Sequence, residues 1–175
     1  MIKNVLHSNI SKIIATFLLL ISSGRCKDEN NTVVPYVPVH IELNLTSELA
    51  NLGVGQLVTI TPDTLNEGYG IVDYHNKKIN KTRISWKVRG NGILLYRKEF
   101  TTYQAFDLTC TYKAYTDYCA IKVEGMEYLP TCPCCQSVFL IQADGYPSNK
   151  SKATAALLQY QVNLMNNETS IVISN

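Results

Sequence analysis

The sequence predicts an all-β fold, an antiparallel sandwich or barrel, and three observations support this prediction. Short runs rich in β-branched and aromatic residues recur along the chain. Turn-forming residues separate these runs, as at Gly53, Gly90-Asn91-Gly92 and Asp144-Gly145. A helical period is confined to residues 47–52 (SELANL), for which we expect one or two helical turns. Many short strands at such spacing are typical of antiparallel β-domains.

Ten segments are predicted as strands on this basis. They cover residues 36–45, 56–61, 83–88, 93–96, 103–108, 120–123, 126–129, 137–141, 157–164 and 170–173. We expect Trp86, in the third of these segments, to lie in the core. The stretch 66–82 is polar and has few apolar residues, so we expect a long loop or a hairpin insertion on the surface.

The N-terminal segment has the pattern of an export signal. Residues 1–12 are basic, residues 13–21 form an apolar run, and small residues lead to Cys26. The apolar run is too short to cross a bilayer, which takes roughly 20 residues. Cys26 stands where bacterial lipoproteins carry their acylated cysteine, although Arg25 departs from the usual lipobox. The alternative is an ordinary cleaved signal in which Cys26 is not lipidated.

Three segments follow from this interpretation. Residues 1–25 are a signal peptide, residues 26–35 a lipid-anchored tether, and residues 36–175 one domain. Residues 27–30 (KDEN) resemble the charged export tag of surface lipoproteins in Bacteroidetes. We therefore expect an exported protein, lipid-anchored at the outer membrane or in the periplasm of a Gram-negative bacterium, with the membrane as one partner.

The charge of the chain argues against nucleic acid as a partner. Three of the 16 basic residues, Lys3, Lys12 and Arg25, lie in the signal, so 13 basic residues face 14 acidic ones in the mature chain. No basic stripe and no nucleic-acid motif is present. An envelope protein or a redox partner is expected instead, and its identity stays open.

Five of the six cysteines lie in one window of 26 residues that contains no histidine. They are Cys110, Cys119, Cys132, Cys134 and Cys135. Clustered cysteines in a small chain indicate a metal site, a redox pair or disulfides. Disulfides persist in the oxidising compartments that exported proteins reach. Five is an odd number, so at least one cysteine should be unpaired, metal-bound or joined to another molecule.

The window and its flanks resemble a Rieske domain, most closely the degenerate Rieske-like lipoproteins of Bacteroidetes. The family has a first box of Cys-x-His with a further Cys, and a second box Cys-Pro-Cys-His-Gly-Ser-x-Phe/Tyr. Here the boxes read Cys110-Thr-Tyr with Cys119, and Cys132-Pro-Cys-Cys-Gln-Ser-Val-Phe. The flanks 93–97, 105–107, 144–147 and 153–160 also agree, so the likeness covers about residues 33–165. It implies a Rieske-like antiparallel β-sandwich with a small two-loop cysteine subdomain at about 106–143.

The resemblance gives each cysteine of the window a role. It implies that Cys110 and Cys132 match the cysteine ligands of a [2Fe–2S] cluster and that Cys119 and Cys134 form the disulfide between the loops. Tyr112 and Cys135 occupy the two histidine positions. A Rieske centre requires two imidazoles on one iron. His7, His40 and His75 are the only histidines, and all lie outside the boxes.

Three chemistries therefore remain open for the window. In the first, a second disulfide joins Cys110 to Cys132 or Cys135 in place of the cluster. In the second, Cys110, Cys132 and Cys135 bind a metal or an altered cluster, with Cys119 or Tyr112 as a further ligand. In the third, Cys132-x-x-Cys135 is a reactive dithiol.

No enzyme is predicted, because the chain has no Gly-x-Ser-x-Gly, no Walker loop and no histidine–carboxylate–nucleophile set. The leading hypothesis is an envelope binding or structural protein, stabilised by disulfides and without cofactor. The alternative is a [2Fe–2S] electron-transfer protein with altered ligands.

Overall fold

The structure, a computed structural model, describes residues 32–63, 68–73, 78–82, 90–124 and 129–175. The predicted signal peptide, Cys26, most of the predicted tether, and His75 lie outside these ranges. So does the strand predicted at 83–88 with Trp86. None of the helices in the described ranges is both long and apolar enough to cross a membrane.

The described residues form an all-β fold, as predicted, and its main element is one antiparallel sheet of eight strands. In spatial order the strands are β1 (His40–Asn44), β12 (Ser170–Ser174), β11 (Gln159–Met165), β6 (Tyr103–Asp107), β5 (Ile93–Arg97), β2 (Leu57–Asp63), β3 (Gly68–Asp73) and β4 (Lys78–Thr82). The register aligns His40 with Ser174, Val162 with Ile173, Leu94 with Phe106, and Val58 with Leu95.

Two small hairpins carry the rest of the regular structure. One pairs β7 (Lys122–Glu124) with β8 (Leu129–Thr131), and the other pairs β9 (Phe139–Leu140) with β10 (Tyr146–Pro147). A one-turn helix, α1 (Ala114–Asp117), and a 3-10 helix (Ile141–Ala143) complete this part. These elements surround the cysteines and form the cysteine subdomain.

The centre of the sheet is buried on both faces. Successive side chains of a strand point to opposite sides, so neighbouring residues enter different cores. Along β5, Ile93 and Leu95 enter one core, whereas Leu94 and Tyr96 enter the other. The first, which we call the sheet core, contains Val39, Ile41, Leu43, Leu49, Leu52, Val58, Ile60, Tyr69, Ile71, Ile93, Leu95, Ala105, Tyr160, Ile171 and Ile173. The second, the cysteine core, contains Leu57, Leu94, Tyr96, Phe106, Leu108, Cys110, Cys119, Ile121, Val123, Cys132, Cys135, Phe139, Ile141, Ala153 and Leu157.

One local prediction was wrong, and a second was right only in part. Residues 45–51 form turns and a bend instead of a helix, although Asn44 Oδ1 accepts hydrogen bonds from the backbone N–H of Thr46 and Ser47 in the manner of a helix N-cap. The polar stretch 66–82 contains the hairpin β3–β4, but this hairpin is not confined to the surface. Tyr69 and Ile71 are fully buried in the sheet core, and the Tyr69 hydroxyl donates a hydrogen bond to Glu48 at 3.0 Å.

Candidate thiol site

Loop 1 (Thr109–Ala120) follows the end of β6, and its two cysteines lie in the cysteine core. An antiparallel bridge between Thr109 and Ala120 closes its base. Just inside this bridge, the Cys110 N–H donates to the Cys119 carbonyl at 2.9 Å. The helix α1 forms the tip of the loop. Cys110 and Cys119 therefore lie side by side at the base, where the backbone fixes both.

Loop 2 (Thr131–Val138) has the same construction with a tighter tip. A bridge between Thr131 and Val138 closes it, and the Cys132 N–H donates to the Ser137 carbonyl at 2.8 Å. The Gln136 N–H then donates back to the Cys132 carbonyl at 2.8 Å. Gln136 has a φ of 62°, a left-handed conformation that glycine adopts most easily. Its side chain supports the turn by donating to the Pro133 carbonyl at 2.9 Å.

A disulfide between Cys119 and Cys134 joins the two loops, which confirms the pairing that the resemblance implied. The two Cα atoms are 6.4 Å apart, and 15 positions of sequence separate the residues. Closing a loop of this length stabilises a fold by about 3 kcal/mol in the chain-entropy account. The bond ties the base of loop 1 to the tip of loop 2, so that the remaining cysteines face one another.

The other three cysteines of the window are buried thiols. Cys110, Cys132 and Cys135 are 0%, 0% and 5% exposed. Their sulfur atoms all lie within 4.8 Å of one another, and the Sγ atoms of Cys110 and Cys135 are 3.6 Å apart. The Cys132 sulfur is also within 4.8 Å of both sulfurs of the disulfide. All five sulfur atoms of the window thus form one contiguous cluster.

Two of the three thiols have a hydrogen-bond partner outside the cluster. The Tyr112 N–H donates to Cys110 Sγ at 3.4 Å, and Cys135 Sγ donates to the Ser137 hydroxyl oxygen at 3.1 Å. Burial raises the pKa of the Cys110 thiol, against the opposing effect of the Tyr112 N–H. Burial also acts to raise the pKa of Cys135, but the hydrogen bonds from Ser137, Cys132 and Cys110 outweigh it and lower that pKa. Cys135 therefore ionises more easily than Cys110.

Two polar residues that sequence reasoning did not single out hold this cluster in place. Ser137 is fully buried, and its hydroxyl oxygen accepts the Ala153 N–H at 2.9 Å, which fixes loop 2 to the segment before β11. Asp107, at the end of β6, accepts hydrogen bonds from the Thr109 N–H and the Tyr160 hydroxyl. Ser137 was visible as part of the second box, and Asp107 as the last residue of the flank 105–107 before the first box.

The structure brings together the cysteines predicted as metal ligands and separates them from the described histidine. His40 is exposed on β1, at one edge of the sheet, and β1 pairs only with β12 among the described strands. Tyr112 packs half-buried against the cysteine core. Cys110, Cys132 and Cys135 are thiols in the structure. The second disulfide among them stays a prediction, and the Sγ atoms of one predicted pair, Cys110 and Cys135, are 3.6 Å apart.

Comparison of the chain with protein-family models, with curated proteins and with solved structures finds no match. The Rieske likeness therefore depends on the spacing and flanks of the two cysteine boxes.

The donor set does not fit a histidine-ligated [2Fe–2S] cluster. No imidazole lies in either loop, and such a cluster spreads its ligands over two irons. Three sulfurs within 4.8 Å of one another are instead as close together as the ligands of a single ion.

Proposed function

We propose that this chain is an exported, lipid-anchored protein with a Rieske-like fold that serves a binding or structural role in the cell envelope. In this proposal the two cysteine loops are a rigid platform held together by sulfur, and no histidine-ligated cluster is present. Lipidation of Cys26 would hold the domain at the membrane.

One observation carries the proposal: the pair Cys119–Cys134 is a disulfide, while the residues at the histidine positions of the resemblance are Tyr112 and Cys135. The connection between the loops is therefore kept in a chain that lacks the ligands of the usual electron carrier. Two imidazoles are what gives a Rieske centre its high potential. A domain without them has no means of reproducing that potential.

The exposed ends of the loops are suited to contact with another molecule. Tyr115 on α1 is 68% exposed, and Pro133 and Cys134 at the tip of loop 2 are also exposed. Aromatic side chains on a rigid scaffold are frequent anchors of protein interfaces. This arrangement supports a binding role over a purely structural one.

The test is isolation of the full chain from the membranes of a Gram-negative host under anaerobic conditions, with Cys26→Ser as the matched control. We expect loss of residues 1–25, a lipid-modified Cys26 peptide, a Cys119–Cys134 peptide pair, and no iron. The Cys26→Ser protein should leave the membrane fraction. Iron near two per chain, with absorbance and an EPR signal of a reduced cluster, would instead establish the [2Fe–2S] electron-transfer alternative.

A further inference from the structure

We propose that Cys110, Cys132 and Cys135 form a binding site for one thiophilic divalent ion, Zn²⁺, with three thiolate ligands from the protein. A water molecule or a small exogenous ligand completes the tetrahedron. Three protein ligands with one open position is a frequent arrangement for zinc. This proposal concerns residues of the domain alone and does not depend on export or lipidation.

The spacing of the sulfur atoms fits a single ion. A Zn–S bond of about 2.3 Å in tetrahedral geometry places two sulfurs about 3.8 Å apart. The Sγ atoms of Cys110 and Cys135 are 3.6 Å apart, and all three sulfurs lie within 4.8 Å of one another. Shifts of a few tenths of an ångström to about one ångström would bring the set to this geometry.

The two loops hold the ligands in place before any ion binds. Cys110 sits inside the bridge that closes loop 1, and Cys132 inside the bridge that closes loop 2. Cys132-x-x-Cys135 has the spacing of a zinc knuckle, and the turn at Gln136 directs Cys135 back toward Cys132. The Cys119–Cys134 disulfide prevents the loops from separating. A preorganised site loses less conformational entropy on binding.

A second, independent observation is the set of donors around the sulfurs. The Tyr112 N–H is directed at Cys110 Sγ. As a thiol, Cys135 donates to the Ser137 hydroxyl oxygen at 3.1 Å; as a thiolate its sulfur can only accept, and the Ser137 hydrogen is then within reach of it. Outer-shell hydrogen bonds of this kind orient metal ligands and stabilise thiolates. A divalent ion would also cancel two of the three negative charges in a site that is almost fully buried.

The ion has a short route to the site. Cys135 is the one ligand with measurable exposure, 5%, and its neighbours Cys134 and Gln136 are exposed at the tip of loop 2. Soft thiolate sites also bind Cu⁺. Three thiolates around a monovalent ion would leave a double negative charge buried, so the charge balance favours Zn²⁺.

The experiment measures metal binding by the full chain, purified without reductant so that the Cys119–Cys134 bond is kept. We expect one Zn²⁺ per chain and, with Co²⁺, the absorption spectrum of a tetrahedral thiolate site. Either ion should protect three thiols from an alkylating reagent. Cys132→Ser should weaken Zn²⁺ binding by more than about 100-fold, because it removes a ligand. Ser137→Ala should weaken it by about 10–100-fold, the range for outer-shell partners.

Thr111→Val is the matched control, since the Thr111 hydroxyl is next to Cys110 but donates to the Ala155 carbonyl at 2.7 Å. It should leave Zn²⁺ affinity unchanged. Failure of the wild-type protein to take up a stoichiometric ion would overturn the proposal. A Cys110–Cys135 disulfide in the protein as isolated would do so too. If Cys132→Ser fails to fold, alkylation of the wild-type protein with and without Zn²⁺ still tests the proposal, because equal alkylation of the three thiols in both would contradict it.

Discussion

The sheet core and the cysteine core share the central strands of one sheet but are stabilised in different ways. The sheet core is made mainly of aliphatic side chains, with Tyr69 and Tyr160, and most of them come from β1, β2, β3, β5, β6, β11 and β12. The cysteine core is assembled from two loops and short hairpins, and it depends on a disulfide, buried hydroxyls and backbone bridges. Apolar burial suffices where strands are long. Where the chain is mostly loop, covalent and polar contacts stabilise the fold instead, and in the cysteine core these contacts bring the thiols together.

The strongest way to separate the two cores is to truncate neighbouring residues of β5. Leu94 and Leu95 are both fully buried, Leu94 in the cysteine core and Leu95 in the sheet core. Each change to alanine should cost about 2–5 kcal/mol of unfolding free energy, measured by urea denaturation. Only Leu94→Ala should speed alkylation of the buried thiols below the unfolding transition. Equal alkylation rates in the two variants would show that the cores are not separate.

The next largest effect is expected from loss of the disulfide. Cys119→Ser combined with Cys134→Ser should lower the unfolding free energy by about 3 kcal/mol, since a 15-residue connection is released. Hydrogen exchange should rise in loops 1 and 2 and change little at β11 and β12. Wild-type protein treated with dithiothreitol is the control and should behave in the same way. Increased exchange throughout the sheet would contradict the division into two regions.

A smaller effect is expected where the two regions are joined. The ring of Tyr160 belongs to the sheet core, while its hydroxyl donates to the Asp107 carboxylate at the end of β6, just before loop 1. Both burial and the Asp107 contact raise the pKa of Tyr160, so the hydroxyl stays protonated and remains a donor. Tyr160→Phe should cost about 1–3 kcal/mol, because it leaves a buried carboxylate short of a partner.

A double-mutant cycle of Tyr160→Phe with Asp107→Asn, measured by urea denaturation, tests this contact directly. We expect a clear coupling energy between the two changes. Additive effects would show that the hydroxyl does not join the regions.

The sequence predicted the all-β class and the strands that are short apolar runs, such as β5, β6 and β12. It missed the part played by β3, because Tyr69, Ile71 and Val72 are only a short apolar run within a polar stretch, and pairing with β2 brings Tyr69 and Ile71 into the core. The helix predicted at 47–52 is replaced by turns. In the thiol site, the Cys119–Cys134 pair came from the resemblance. The spacing alone could not distinguish a second disulfide from a thiol cluster, since that depends on how the loops face each other.

The smallest predicted effect concerns Asp144, at the end of the 3-10 helix next to the cysteine core. The Gln104 amide, which donates to its carboxylate at 2.7 Å, and then Lys98 at 3.5 Å lower the pKa of Asp144 below its ordinary value. The ionised Asp144 carboxylate therefore stabilises the folded protein fully above its unfolded pKa of about 3.9. This contribution is lost as the pH falls through the folded pKa. In a carbon-detected NMR titration, Gln104→Met should raise the pKa of Asp144 more than Lys98→Met does, because the amide bond is the larger cause. The reverse order would mean that exposed charge, and not the contact with β6, controls this carboxylate.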